Sequence, residues 1–224
     1  MNEGVSVLFL LTGDVQIGKT RWLESLCASL QAAGTCVAGV VAPGQWVPRP
    51  EGQPGGKHGF DGAGRFEKLG IDNVLLPQGE RIEFARRRDL AAKGKAFAEG
   101  TQAKAAKLGW AISDTAIAQV NSHFAALAKQ AANETRLAPH AVLVVDELGR
   151  LELLRGCGLT NALAILDAGP TPQFPHAIAV VRETLLDEAR RRFEPRWGKA
   201  TVIGPDDAAR NLVLETARAA GGAH

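Results

Sequence analysis

Val5-Ser6-Val7-Leu8-Phe9-Leu10-Leu11-Thr12-Gly13-Asp14-Val15-Gln16-Ile17-Gly18-Lys19-Thr20 is the stretch that decides the fold. Its apolar, β-branched beginning reads as a buried strand. The remainder matches G-x-x-x-x-G-K-[ST], the Walker A pattern, and leads into a helix. Gly13 and Gly18 let the backbone curl until successive N–H groups face one anion, so Asp14, Val15, Gln16 and Ile17 serve through their main chain. Lys19 adds a mobile positive charge. Thr20 offers a hydroxyl to Mg²⁺, and the helix that follows turns its positive end to the same phosphate. On background glycine usage this pattern arises by chance in about one chain in a hundred of this size. Trp22, Leu23, Leu26, Cys27 and Leu30 follow at helical spacing, which chance does not supply.

Bulk composition leaves room for such a domain and narrows its partners. The chain has 224 residues, 46% hydrophobic and 22% charged, enough for one α/β domain spanning 1–224 with an insertion. Lys and Arg together number 26 against 24 for Asp and Glu, so no charge excess argues for nucleic acid or a membrane surface. No apolar run approaches the roughly 20 residues that span a bilayer. Met1-Asn2-Glu3-Gly4 places no basic segment before the first apolar run, which therefore reads as a core strand rather than a signal peptide. Cys27, Cys36 and Cys157 form neither a disulfide framework nor a C-x-x-C zinc pattern; the first two read as small core residues. The five histidines are scattered without ligand spacing. A cytoplasmic protein is expected.

Outward from the loop, the helix is expected to end at Ala33, with Gly34 as a left-handed cap. Residues 35–42 form a second strand suited to a sheet covered on both faces. Pro43, Pro48, Pro50 and Pro54 among many glycines make 43–64 a mobile loop, either a connector or a lid over bound nucleotide. A short strand is expected at 73–76 and a turn at 79–81. Arg86, Arg87, Arg88, Lys93, Lys95, Lys104 and Lys107 then form a basic stretch without interleaved aromatics, so a solvated face or a phosphate-sensing lid is favoured over nucleic acid. Together 43–112 reads as an inserted lid region. Residues 113–132 form a helix capped by Ser113 or Asp114, with Ile117, Val120, Phe124, Leu127 and Ala128 as its inner stripe.

Ala141-Val142-Leu143-Val144-Val145 is a fully apolar strand that ends in Asp146-Glu147, in the manner of a Walker B segment. A carboxylate emerging from a buried strand beside a phosphate loop suits Mg²⁺, and that role falls to Asp146. Glu147 points to another side, where it is placed to orient and deprotonate water. Helix is expected at 159–166, strand at 177–181, helix at 183–193, strand at 200–203 and helix at 207–219. Arg182 leaves its strand at the carboxyl end, the edge that carries ligands in open α/β sheets, and is expected to stabilise charge on the terminal phosphate. The alternation of strands and helices predicts a three-layer P-loop fold with a mostly parallel central sheet.

Thr12-Gly13 through Thr20, Val144-Val145-Asp146-Glu147-Leu148-Gly149-Arg150-Leu151-Glu152-Leu153, and Val180-Val181-Arg182-Glu183 together resemble a family of small nucleoside-triphosphatases. That family is typified by a thermophilic bacterial enzyme and a human cancer-related one. Gly56-Lys57-His58-Gly59-Phe60 and Gly109-Trp110 are similar to its middle region, with Lys57-His58 where the family usually has an arginine-rich Gly-Phe segment. The resemblance implies slow, Mg²⁺-dependent hydrolysis of several nucleoside triphosphates, ATP or GTP among them. It implies that Lys19 and Thr20 bind phosphate and metal, that Asp146 sits in the metal shell, and that Glu147 acts on water. A nucleoside or small-molecule kinase would share the loop and use Arg86 to Arg88 as its lid. A nucleotide-dependent switch would share the loop without fast turnover. No N-K-x-D guanine signature occurs, which disfavours a Ras-type switch.

Overall fold

The computed structural model describes residues 6–49, 65–91, 100–102, 110–132 and 140–221. In chain order the elements are β1 (Val7–Leu11), α1 (Lys19–Ala32), β2 (Cys36–Val41), β3 (Gly44–Pro48), β4 (Phe66–Leu76) and β5 (Glu80–Arg87). There follow α2 (Arg88–Ala91), β6 (Trp110–Ile112), α3 (Asp114–Ala132), β7 (Ala141–Leu148), α4 (Arg150–Arg155) and α5 (Thr160–Asp167). The chain closes with β8 (His176–Val181), a 3-10 turn (Glu183–Leu185), α6 (Leu186–Trp197), β9 (Thr201–Ile203) and α7 (Asp207–Gly221).

One nine-stranded sheet joins the strands in the order β6-β5-β4-β2-β7-β8-β1-β9, with β3 paired to β4. Successive residues of β1 point to opposite faces, as the strand period of two requires. Leu8 and Leu10 pack with α3, α5 and α6 around Phe124, Leu166 and Phe193. Phe9 and Leu11 pack with α1 and α7 around Leu23, Leu26, Leu30 and Val213. Helices thus cover both faces, giving three layers. Burying each of these large side chains contributes about 1.5–3 kcal/mol.

The sheet is mixed rather than mostly parallel. The pairs β2–β7, β7–β8, β8–β1 and β1–β9 are parallel, whereas β2–β4, β3–β4, β4–β5 and β5–β6 are antiparallel. The antiparallel half comes from the stretch expected to be an inserted lid. Residues 44–48 of the expected loop are strand β3, and the expected short strand is the end of the eleven-residue β4. The turn falls at 77–79, so Glu80 and Arg81 already belong to β5. Sequence reading missed these strands because Pro48 and the flanking glycines suit an edge strand as well as a loop. Buried Asp72 on β4 ties the layer together, accepting from Gln45 Nε2 on β3 at 2.6 Å and from Arg81 Nη1 on β5 at 2.8 Å.

Other departures are local. The helix expected at 183–193 begins as the 3-10 turn and then runs through Pro195 to Trp197. Helix α4 was not anticipated. Cys36 is exposed rather than core, while Cys27 is buried, its thiol pushed up to about 12 by burial. Ser113 caps α3, its hydroxyl accepting from the Ala116 N–H at 3.3 Å. Among the described residues no helix is long and apolar enough to cross a membrane. Residues 50–64, with Gly56 to Phe60, and residues 92–99 and 103–109, with Lys93, Lys95, Lys104, Lys107 and Gly109, lie outside the described residues.

Candidate functional site

Parallel strands bring their carboxyl ends to one edge of the sheet, and the candidate residues leave from three neighbours on it. Gly13 to Thr20 follow β1, Arg182 follows β8, and Asp146 and Glu147 end β7, with β8 lying between β7 and β1. The edge is the one where open α/β sheets hold their ligands.

The loop after β1 is anchored at its start, where the Thr12 N–H donates to Ile203 O on β9 at 3.0 Å. Asp14, Val15, Gln16 and Ile17 are exposed at its tip. Gln16 and Gly18 adopt the left-handed region, with φ of 68° and 99°. At Gly18, the residue that caps α1, the absence of a Cβ makes that turn cheap. Lys19 Nζ reaches back over the loop to Gly13 O and Asp14 O, both at 2.7 Å. Partial burial holds the Lys19 ammonium below the ordinary lysine range; Glu147, Asp146 and Asp14 oppose that pull, and Arg182 adds to it. Each of these four groups is near enough for its charge to reach Lys19. The structure therefore brings Lys19, Asp146, Glu147 and Arg182 into one electrostatic cluster.

Asp146 is buried. Its Oδ2 accepts from the Ala42 N–H at the end of β2 at 2.9 Å, whereas Oδ1 is buried without a hydrogen bond of standard geometry. Burial raises its carboxyl to about 7, with Glu147 adding to the shift; the Ala42 N–H, the Thr20 hydroxyl and Lys68 work against it. An orphaned carboxylate oxygen close to a threonine hydroxyl is a hard oxygen donor set. It fits Mg²⁺, which takes one or two protein ligands and fills its octahedron with phosphate and water. Among the described residues no cluster of three or more acidic, His or Cys side chains that could hold a metal occurs.

Glu147 is exposed and holds φ at 65°. The β7–β8 register slips between Val145 and Leu148, so the chain bulges there and turns the Glu147 side chain out of the sheet. Arg182 is exposed as well. Among the described residues no carboxylate forms an ion pair with it, neither the adjacent Glu183 nor Asp187.

Glu152 belonged to the sequence signature, but its task emerges only from the fold. It is buried on α4, with Oε2 accepting from Gly149 N–H at 3.0 Å and Oε1 from Leu159 N–H at 3.1 Å. It clamps the turn that carries the chain away from Glu147. Its spacing to the acidic pair was the only signal available. Within the described part of the basic stretch, Arg86 pairs with Glu83, and Arg87 with Glu67 at 2.9 Å and Asp89 at 2.7 Å.

No protein-family model matches the chain, and no curated protein matches it in sequence. Among solved structures it is similar to the solution structure of a human cancer-related nucleoside triphosphatase, 20% identical, with 94% of each chain covered and a TM-score of 0.53. The resemblance read from the phosphate loop, the acidic pair and Arg182 is therefore joined by a likeness of fold that runs through nearly the whole chain.

Proposed function

We propose that the protein is a Mg²⁺-dependent nucleoside-triphosphatase that hydrolyses 5′-triphosphates such as ATP and GTP to diphosphate and phosphate. The observation that carries this reading is Glu147. It is an exposed carboxylate in left-handed backbone, one residue after a buried carboxylate with an orphaned oxygen, beside a phosphate loop. Backbone held in such a region tends to mark sites where position matters more than stability. Thr20 and Asp146 would hold the metal ion, which when bound neutralises charge on the β- and γ-phosphate oxygens. Main-chain N–H groups of 13–20 grip the phosphates, and Lys19 exchanges its two carbonyl partners for phosphate oxygens.

Glu147 accepts a proton from water as its oxygen bonds to the γ-phosphorus. The bond from that phosphorus to the β,γ-bridging oxygen breaks, and the diphosphate leaves with the electron pair. Arg182, free of ion pairs among the described residues, donates to the charge that gathers on the transferred group. Carboxylates engage Arg86 and Arg87, two of the three arginines available to the kinase reading as a lid, which favours hydrolysis.

Glu147→Gln keeps shape and hydrogen bonding but removes the basic lone pair. Single-turnover phosphate release should fall by about 10²- to 10⁴-fold while nucleotide still binds. Release at the wild-type rate would reduce Glu147 to a turn residue and end this mechanism.

A further inference from the structure

The antiparallel half of the sheet carries a cation that the loop, the acidic pair and Arg182 leave unexplained. Lys68 on β4 lies opposite Trp46 on β3 in register. Its Nζ stands 6.0 Å from the Trp46 ring centroid and 5.7 Å from that of Trp110 on β6. Two indoles therefore flank one ammonium. Gly44 makes room for this: a Cβ there would lie 2.5 Å from Lys68 Cε and 2.6 Å from Trp46 Nε1. Among the described residues no carboxylate comes within ion-pair range of Lys68. Indole faces attract a cation but do not neutralise it. Among the described residues the half-buried ammonium is thus held in place with its charge available.

Its placement points toward the phosphate site. Gly44 comes two residues after Ala42, whose N–H holds Asp146. Arg21, next to Thr20, stacks over the other partner, its guanidinium carbon 5.8 Å from the Trp46 centroid. The Trp46–Lys68 pair thus lies against the residue next to Thr20 and on the strand that follows the Ala42 N–H bonded to Asp146. Lys19 stands at the start of α1, whereas Lys68 stands in the antiparallel half.

We propose that Lys68, held between Trp46 and Trp110, binds the terminal phosphate of the nucleotide and so distinguishes triphosphate from diphosphate. The inference rests on the hydrolase reading above and adds a specificity residue to it. In P-loop hydrolases the loop and its lysine cradle the β- and γ-phosphates from one side, which leaves the other side of the outermost phosphate to groups beyond the loop. A cation on the antiparallel side of the edge would meet the outermost phosphate rather than the inner ones. It strengthens binding of the substrate and adds nothing to binding of the product diphosphate, which favours product release.

The test is calorimetric, with Mg²⁺ present, using a nucleoside diphosphate and a non-hydrolysable β,γ-imido triphosphate on wild type, Lys68→Met, Lys68→Arg and Lys19→Ala. Lys68→Met should weaken triphosphate binding by about 10- to 100-fold, the range of a charge-assisted contact, and leave diphosphate binding within about twofold. Lys68→Arg, which keeps charge and stacking, should recover most of the loss. Lys19→Ala should weaken both ligands. Unchanged triphosphate affinity in folded Lys68→Met overturns the proposal, as does an equal loss for both ligands in Lys68→Met with no recovery in Lys68→Arg. Wild type that binds neither ligand overturns the hydrolase reading and this inference with it.

Discussion

At Glu147 a strained backbone falls on the residue proposed to act on water. A non-glycine residue at φ near 65° suffers contact between its Cβ and its own carbonyl, costing about 1–2 kcal/mol. The bulge in β7 holds it there because Asp146 must stay in the sheet edge while its neighbour turns out. Two variants that both lack the carboxylate separate strain from chemistry. Glu147→Gly removes the Cβ that clashes, whereas Glu147→Ala keeps it. Both should lose turnover, and the glycine variant should be the more stable by about 1 kcal/mol in urea unfolding. Equal stability of the two would show that the native backbone is not held in the left-handed region.

Strand β2 is the element on which the two halves of the sheet meet, parallel to β7 on one side and antiparallel to β4 on the other. Gly39 sits at that seam with φ of 121°, and a Cβ there would lie 2.0 Å from Val144 O. Gly39→Ala must therefore part β2 from β7, and the loss should be about 3 kcal/mol or more, read as a lower urea midpoint. A shift below about 0.5 kcal/mol would mean that the seam tolerates side chains. The parallel half was legible in the sequence for a reason visible here. Its strands are continuous apolar runs such as 141–145, and its site residues sit where those runs stop. The antiparallel half was not legible. Strand β3 buries no residue fully and β4 buries Gly70 to Asn73 in a row, so neither shows the period of a half-buried strand. Strand β4 carries Lys68, Asp72 and Asn73, and the pair is bounded by the same Pro and Gly that mark loops. Trp46 and Lys68 meet only through a register that a glycine-rich stretch does not announce.

At the scale of the whole molecule, the loops that would hold nucleotide belong to β1, β7 and β8, the middle of the parallel half, whose residues populate both main cores. A ligand that binds there binds only the folded chain, so it should raise the stability of the entire sheet. At a free concentration 100 times its dissociation constant the gain is about 2.7 kcal/mol. For a chain of 224 residues each kcal/mol moves the melting temperature by about 2–4 °C, so Mg·imido-triphosphate should raise it by about 5–10 °C. Replacing Mg²⁺ with a chelator should remove most of that rise, because Thr20 and Asp146 then face phosphate without the intervening positive charge, and a buried carboxylate repels it. Lys19→Ala should keep the ligand-free melting temperature within about 2 °C, since its ammonium bonds only two carbonyls of an exposed loop, yet it should lose the ligand-induced rise. A rise of the same size in chelator would remove the metal from the site. A full rise in Lys19→Ala would place the nucleotide somewhere other than the loop after β1.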